Sequence, residues 1–453
     1  MRLTLIAPTS LPSRRANTIQ VMKMADAIAG LGHEITVLVP GSSHQFPQEP
    51  MSTHGNSGEL MGIQENSWEP IARHYGLAHE FPIHWLPAHP RLRSYDFGWQ
   101  AVRWAKKWGA DLIYTRHPQA AAFASLTGLP TILEVHDLPR GVAGTRLFRA
   151  FIWGRGARKL VVITNALLAD LKSGNRDVRL AIEHVKALQI NVLPDGVDLA
   201  RYENLPAPAE ARAALPAPCS LLPTVFTVGY TGHLYTGRGV EHILELARRL
   251  PEVQFLLAGG DPEDVERLQS QITQYAIRNI FPTGFIPNAD LPRYQAACDI
   301  LLMPYQESVA ASSGGDIARY LSPMKVFEYL ACGRVILSSD LPVLREILNE
   351  QNAILLPPGD VDAWVRAIED VRLNSRKYAE MAITAKNNAE QYSWEARARK
   401  VLDFPSTAPM SLRAGFWRSN LPEEDGYQRS TRLPRRRKSK SAARNDTNKR
   451  DAG

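Results

Sequence analysis

Apolar and polar positions along this chain switch between two periods. Unbroken apolar runs, such as those inside "RLTLIAPT" and "HEITVLVP", suit strands buried on both faces. Between them lie stretches that repeat every three to four residues. Ile19, Met22, Met24, Ala25 and Ile28 form one such stripe, and Gly32 stops it. "DLIYTR", "PTILEVHD", "KLVVITN" and "INVLPDGVD" continue the strands, most of them followed by a helical stretch. A second alternation opens at "TVFTVGYTG" and runs through "VEHILELARRL", "VQFLLAGG", "DPEDVERLQSQITQYA", "NIFPTGFI", "LPRYQAAC" and "DILLMPY" to "RVILSS", "LPVLREIL" and "NAILLPPGD". Strands alternating with helices predict parallel sheets covered by helices. From Ser42 to about Pro90 the periodicity is weak and Pro, Ser and His are frequent, so this run reads as a long loop or insertion.

At 453 residues the chain exceeds what one core holds, and two domains are predicted. The Pro/Ala-rich stretch "ENLPAPAEARAALPAPCSLLP" marks the boundary. The reading is α/β, with two Rossmann-like domains facing each other across a cleft. Residues 1–204 form the first domain, 205–223 a linker, 224–385 the second domain, and 386–404 a final helix. Residues 405–453 are read as a basic, disordered tail: periodicity is lost past Phe404, and the segment from Arg429 has almost no apolar residues to pack a core. Ligands are expected at the carboxyl ends of the strands.

Composition changes this picture little. Hydrophobic residues make up 44% and charged residues 22%, as in ordinary globular proteins, and no apolar stretch approaches the ~20 residues that span a bilayer. "MRLTLIAPTS" reads as a first strand and not as a signal peptide. Cys219, Cys298 and Cys332 lack metal-ligand spacing, which predicts a reducing, cytoplasmic setting and no metal site.

Charge changes it more. Of the net +7, +8 lies between Arg429 and Gly453, so residues 1–428 sum to −1. A nucleic-acid-binding body would carry its own basic face, so nucleic acid is not an expected partner. The tail suits either an anionic membrane surface, with the protein peripheral at the inner face, or simple solvation.

The densest chemistry lies in "SPMKVFEYLACGRVILSSDLP", residues 322–342. Ser322 reads as a helix cap, Pro323 as the first helical position and Gly333 as the stop. Lys325 and Glu328 then share a face near the helix N-terminus. Earlier, "GHLYTGRG" joins a strand to a helix. Its Gly232, Gly237 and Gly239 permit close backbone approach, and Arg238 can grip phosphate oxygens. Two helix N-termini and two cations in one half suit a diphosphate, and Glu328 could accept hydrogen bonds from ribose hydroxyls. The plain readings are a strand–helix turn with a solvated Arg238 and a Lys325–Glu328 surface pair.

Together, "LPSRRANTIQVMKMADAIAGLGHEITVLVP", "EVHDLP", "VLPDGVD", "GYTGHLYTGRGVE", "SPMKVFEYLACGRVILSSDLPVLREIL", "PPGD" and "YSWEARARKVL" resemble the GT-B glycosyltransferases of family 4, a retaining group, over residues 1 to about 404. The resemblance implies that Arg238 neutralises the donor diphosphate, Glu328 holds the ribose, and Ser322, Pro323 and Met324 offer backbone groups to the phosphates. It also implies that the first domain is the acceptor side, that the second binds the nucleotide sugar, that the 386–404 helix crosses back to the first domain, and that His136 faces the transferred sugar. Glu134, by strand alternation, is expected on the opposite face or one step deeper. Arg14 and Asn17 are the acceptor-side candidates. Three departures stand out. His233 occupies the place of a common arginine, Tyr320 stands where the first of two paired glutamates is usual, and the first loop lacks a glycine pair. Asp316 is the candidate substitute for the missing glutamate.

The implied activity is metal-independent, retaining transfer of a hexose from a UDP- or GDP-linked donor to a hydroxyl acceptor, with no cofactor. A sugar-nucleotide epimerase of the same fold and a non-catalytic nucleotide-sugar-binding protein are the alternatives.

Overall fold

Buried on both faces, the first apolar run forms β1 (Arg2–Ile6), which pairs in parallel with β2 (Glu34–Pro40) and β4 (Leu112–Thr115). The computed structural model of the chain describes residues 1–41, 68–184, 188–216, 221–310 and 316–403. In its first half follow β3 (Ile83–Leu86), β5 (Thr131–Val135), β6 (Ala157–Val162) and β7 (Gln189–Val192), in the spatial order β3-β2-β1-β4-β5-β6-β7. The covering helices are α1 (Ala16–Gly30), α2 (Trp68–Tyr75), α3 (Tyr95–Trp108), α4 (Pro118–Leu126), α5 (Gly141–Trp153), α6 (Asn165–Ser173) and α7 (Arg176–His184). The segment read as a loop thus contains α2 and β3. Its Tyr75 and Phe81 are buried in the α1 core, while residues 42–67 lie outside the described residues.

After α8 (Pro208–Ala213) the second half holds β8 (Thr227–Thr231), α9 (Val240–Arg249), β9 (Gln254–Ala258), α10 (Pro262–Gln274), β10 (Ile280–Gly284), α11 (Leu291–Ala296) and β11 (Ile300–Met303). It closes with α12 (Met324–Cys332), β12 (Val335–Ser339), β13 (Ile354–Leu356), α13 (Val361–Leu373) and α14 (Ala379–Ala389). The strand order is β10-β9-β8-β11-β12-β13, again parallel. In each sheet the order reverses beside the first strand, between β1 and β4 and between β8 and β11. Ligands bind at such switch points, outside the carboxyl ends of the strands.

The stretch read as a linker is part of the second core. Ala211 of α8 is buried there, and Arg212, 6% exposed, pairs with Asp299 at 2.9 Å and donates to the Ala297 carbonyl. Residues 217–220, Cys219 among them, lie outside the described residues; Cys298 and Cys332 are buried free thiols.

The returning helix also begins later than the 386–404 bounds expected for it. Residues 386–389 complete α14, and the chain recrosses through Glu390–Ser393 into α15 (Trp394–Leu402). There it runs beside the outgoing crossing: Val197 N–H donates to the Tyr392 carbonyl (2.9 Å) and Trp394 N–H to the Val197 carbonyl (3.0 Å). Ser393 caps α15 by accepting from Ala396 N–H. Trp394, Ala398 and Val401 pack against Val21, Met24 and Ile28 in the first core. Buried Lys159 of β6 donates to the Lys400 and Asp403 carbonyls, so an ammonium meets the negative end of the helix. Phe404 and the basic tail lie outside the described residues, among which no helix is long and apolar enough to cross a membrane.

Candidate active site

In the second half the site is built from the loops after β8 and β11 and from the start of α12. Gly232 follows β8 with φ +129°, and a Cβ there would stand 2.9 Å from Lys325 Nζ. Gly237 and Gly239 also have positive φ, but their open sides are filled by the chain itself. An added Cβ would meet the Ser308 and Pro304 carbonyl oxygens at 2.1 Å. These two glycines admit the β11 loop, not a ligand.

Arg238 donates to the Tyr305 hydroxyl (3.0 Å), while its Nε is buried without a partner. Lys325 is 8% exposed, and its Nζ sits 3.8 Å over the Tyr230 ring and 5.4 Å from that of Tyr305, also without a hydrogen-bond partner. Burial, reinforced by Arg238, holds the Lys325 ammonium well below the usual lysine range; Glu328 opposes this. Two cations thus converge on Tyr305, each with an unused donor.

The start of α12 differs from the sequence reading. Pro323 is itself the N-cap, and Ser322, one residue further out, accepts from Asp195 N–H at 3.3 Å in the crossing segment. Met324, the first helical residue, packs against the first core. Lys325 and Glu328 form no ion pair. Lysine points beneath Gly232, whereas Glu328 Oε2 accepts from Gln295 Nε2 (3.2 Å). Gln295 is keyed in turn by the Tyr202 hydroxyl (2.8 Å) and Thr231 Oγ1 (3.2 Å).

The first half contributes the loop after β1. His233 Nε2 donates across to the Arg14 carbonyl (3.1 Å), and its ring stacks on Tyr235. Arg14 lies 4.3 Å over the Phe285 ring and lines, with His233, Arg15, Asp261 and Arg267, a cavity of about 560 Å³. The Asn17 side chain is exposed, and its carbonyl accepts from Arg116 Nη1 at 3.3 Å.

At the end of β5, His136 lines a separate cavity of about 340 Å³ with Arg116 and Asp137. Its Nε2 donates to Glu134 Oε1 at 2.5 Å. The strand ends at Val135, so alternation stops there and the imidazole folds back onto the carboxylate, contrary to the expectation that Glu134 points away. Glu134 is fully enclosed. Oε1 also accepts from Gln20 Nε2 (2.6 Å), and Oε2 accepts from Arg397 Nη2 (2.9 Å) and the Tyr114 hydroxyl. Burial pushes this carboxyl up, but Arg397, His136 and Arg116 together hold it well below the usual range. Burial and Arg116 push His136 down to about 4 against the pull of Glu134, so the imidazole is neutral at pH 7.

The profile for "Glycosyltransferase Family 4" matches residues 18–201, and that for "Glycosyl transferases group 1" matches residues 225–374. The chain belongs to the family 4, group 1 glycosyltransferases. Among its relatives is a phosphatidyl-myo-inositol mannosyltransferase of Mycolicibacterium smegmatis, 21% identical over 89% of this chain and 92% of that one. Another is a 2-deoxystreptamine glucosyltransferase of Streptomyces kanamyceticus, 28% identical over 66% and 76%. Among solved structures, a sucrose-phosphate synthase from Thermosynechococcus elongatus superposes with a TM-score of 0.61 at 18% identity, covering 88% of this chain and 96% of its own. Anabaena Alr3699/HepE in complex with UDP and glucose gives 0.61 at 16%, covering 88% and 97%.

In this glycosyltransferase the position of the usual first glutamate is turned to another use. The Tyr320 hydroxyl donates to Asp170 of α6 at 2.5 Å, and Arg319 joins the same carboxylate, tying the two halves. Asp316 caps a turn by accepting from Val309 and Ala318 N–H. Sequence reasoning missed Gln20, Arg116, Asp195, Gln295 and Arg397. Only Arg397 left a usable signal: with Trp394, Ala398 and Val401 it shares the apolar stripe of α15, where a cation needs a buried partner.

Proposed function

We propose that this glycosyltransferase moves a hexose from a UDP- or GDP-linked donor to a hydroxyl acceptor with retention at the anomeric carbon. The observation that carries the reading is the pair of buried, unused donors, Lys325 Nζ and Arg238 Nε, beside Gly232 and the start of α12. A diphosphate is the ligand that satisfies both, and it lies where the helix N-terminus adds positive potential. The negative charge that develops on the leaving diphosphate is then met by preorganised groups, the task a divalent cation performs in other sites. Glu328, fixed by Gln295, offers its free carboxylate oxygen to the ribose. Neutral His136 donates through Nε2 to Glu134, which leaves Nδ1 to accept from a sugar hydroxyl. Among the described residues no carboxylate stands ready as nucleophile, so transfer proceeds on the front face through an oxocarbenium-like state.

The relatives named for mannosyl and glucosyl transfer, and the neighbour holding UDP and glucose, support a hexose and a nucleotide donor. The basic tail favours a cytoplasmic protein peripheral to an anionic surface. One observation favours a second reading, a binding protein without turnover: Tyr320, bound to Asp170, leaves the usual sugar-side glutamate without a replacement.

Melting temperatures measured with UDP-, GDP- and ADP-hexoses should rise with one nucleotide series, since a ligand bound only to the folded state stabilises it by mass action. Release of that nucleotide on adding acceptor, with an α-linked product by NMR, supports the transferase. Stabilisation without release with any acceptor supports the binding protein, and no stabilisation refutes both.

A further inference from the structure

Arg397 belongs to α15, near the carboxyl end of the described chain, yet its guanidinium lies deep in the first half, 4% exposed. Its Nε donates to the Pro194 carbonyl (2.7 Å), Nη2 to the Leu193 carbonyl (3.2 Å) and to Glu134 Oε2 (2.9 Å), and Nη1 to the Tyr114 hydroxyl (3.3 Å). Glu134 receives that guanidinium and Tyr114 on one oxygen and Gln20 and His136 on the other, so the carboxylate has no freedom to turn. The other nearby guanidinium, Arg116, reaches Glu134 only through Gln20, to whose Oε1 it donates at 2.7 Å.

We infer that Arg397 is a positioning residue for His136: it fixes the Glu134 carboxylate that orients the imidazole, so docking of α15 and competence of the site depend on one guanidinium. The inference rests on the proposed transfer reaction only for its kinetic arm. A helix anchor alone would need the backbone carbonyls of Leu193 and Pro194; the contact to Glu134 is the one that reaches the site. Removing one partner of a buried ion pair leaves the other uncompensated. Here the group that loses its directly bonded counterion is Glu134; with Arg116 held at one remove by Gln20, a proton on His136 or on the carboxylate itself would balance it.

The charged groups around His136 are Glu134 in the strand just before it, Arg116 after β4, Arg397 from α15 and the Asp137–Arg140 ion pair in the following loop, while Asp195 after β7 faces the same Arg397, Glu134 and Arg116. Without Arg397 the imidazole loses a like charge and faces a carboxylate without its counterion. Both changes favour the imidazolium. Its midpoint should rise by roughly one to three pH units, the usual effect of a close charge.

The test uses the full chain with ring-labelled histidine, the His136 signal being assigned by its loss in His136→Asn. In Arg397→Gln the imidazole should titrate well above its wild-type midpoint, and Arg397→Lys should restore most of the difference. On the kinetic side, kcat should fall roughly 10- to 100-fold, the scale of a misplaced catalytic group, with up to about fourfold of the loss at pH 6.5 recovering as pH rises, and nucleotide-sugar KM within about twofold. An unmoved His136 titration together with a pH-independent loss of turnover would reduce Arg397 to a helix anchor. If Arg397→Gln does not fold, Glu134→Gln carries the test, because it keeps the volume and removes the shared charge; wild-type kcat in that variant overturns the inference. The titration needs no substrate, so a protein that transfers no sugar would sink the proposed reaction and leave this result standing.

Discussion

Lys325→Met separates a ligand-binding cation from a core filler by the sign of two effects. Methionine matches the length of the lysine stem and can occupy the space between the Tyr230 and Tyr305 rings. In the free protein Nζ is buried without a hydrogen bond, so its removal should stabilise the fold by about 1–3 kcal/mol, the cost of a buried polar group left unsatisfied. The gain should depend on pH. Burial depresses the folded-state lysine below its usual 10.5, so the folded chain binds the proton less tightly than the unfolded chain does. The wild-type penalty is therefore largest in acid and fades as pH rises toward the unfolded value, and the advantage of methionine fades with it. Nucleotide binding should move the other way. A hydrogen bond to a charged group contributes about 1.5–3 kcal/mol, or roughly a 10- to 150-fold loss of UDP or GDP affinity. Thermal melts from pH 6 to 9 and calorimetric titrations with the free diphosphates measure both. In wild type, calorimetry in buffers of different ionisation enthalpy should show proton uptake on binding. A variant that is less stable and binds nucleotide normally would refute the reasoning and return Lys325 to the core.

Glu328→Gln should weaken nucleotide binding by about 1.5–3 kcal/mol by calorimetry, because an amide accepts less well from two hydroxyls and sets one amide against the Gln295 amide; unchanged affinity would remove Glu328 from the site. Asp195→Asn should stabilise the protein more as pH rises. Burial pushes this carboxyl up to about 7 from 3.8, so its stability contribution is full below the ordinary value and is lost as pH climbs through 7. The gain should grow by about 2–3 kcal/mol between pH 5 and pH 8, and a flat difference in melting temperature would contradict it. Deleting residues 429–453 should leave donor turnover unchanged and reduce co-sedimentation with anionic liposomes at low salt, at about 1 kcal/mol per basic residue engaged; equal sedimentation would leave the tail merely solvated.

The periodicity along the chain was enough for the two alternating halves, because buried parallel strands and their covering helices leave unmistakable patterns. It failed where short elements are held by tertiary contacts. In β3 no residue is fully buried, so Ile83–Leu86 carries little pattern of its own. The α8 segment is rich in Pro and Ala and reads as a linker, yet its fold comes from the buried Arg212–Asp299 pair. Spacing put Lys325 and Glu328 on one helix face, but it could not show that one side chain dives beneath Gly232 while the other turns to Gln295. Glycines mark conformation better than purpose: Gly237 and Gly239 are required by their own neighbours, Ser308 and Pro304.

The parts that stayed illegible share a physical cause, which is that they are assembled from distant segments. Glu134 was visible in "EVHD" and Arg397 in "YSWEARARKVL", but their pairing requires the chain to recross beside Val197 and seat α15 on α1. The same crossing brings Asp195 N–H to Ser322, one residue before the cap of α12. Movement of the second half against the first would therefore strain a bond adjoining α12 and another at the Glu134 carboxylate that holds His136 at once. Tyr320 and Arg319, gripping Asp170 from across the halves, add a third tie on the same side. A site held this way is completed only when both crossings are in register, and for that reason its charges can remain buried and partly unpaired without collapsing onto one another.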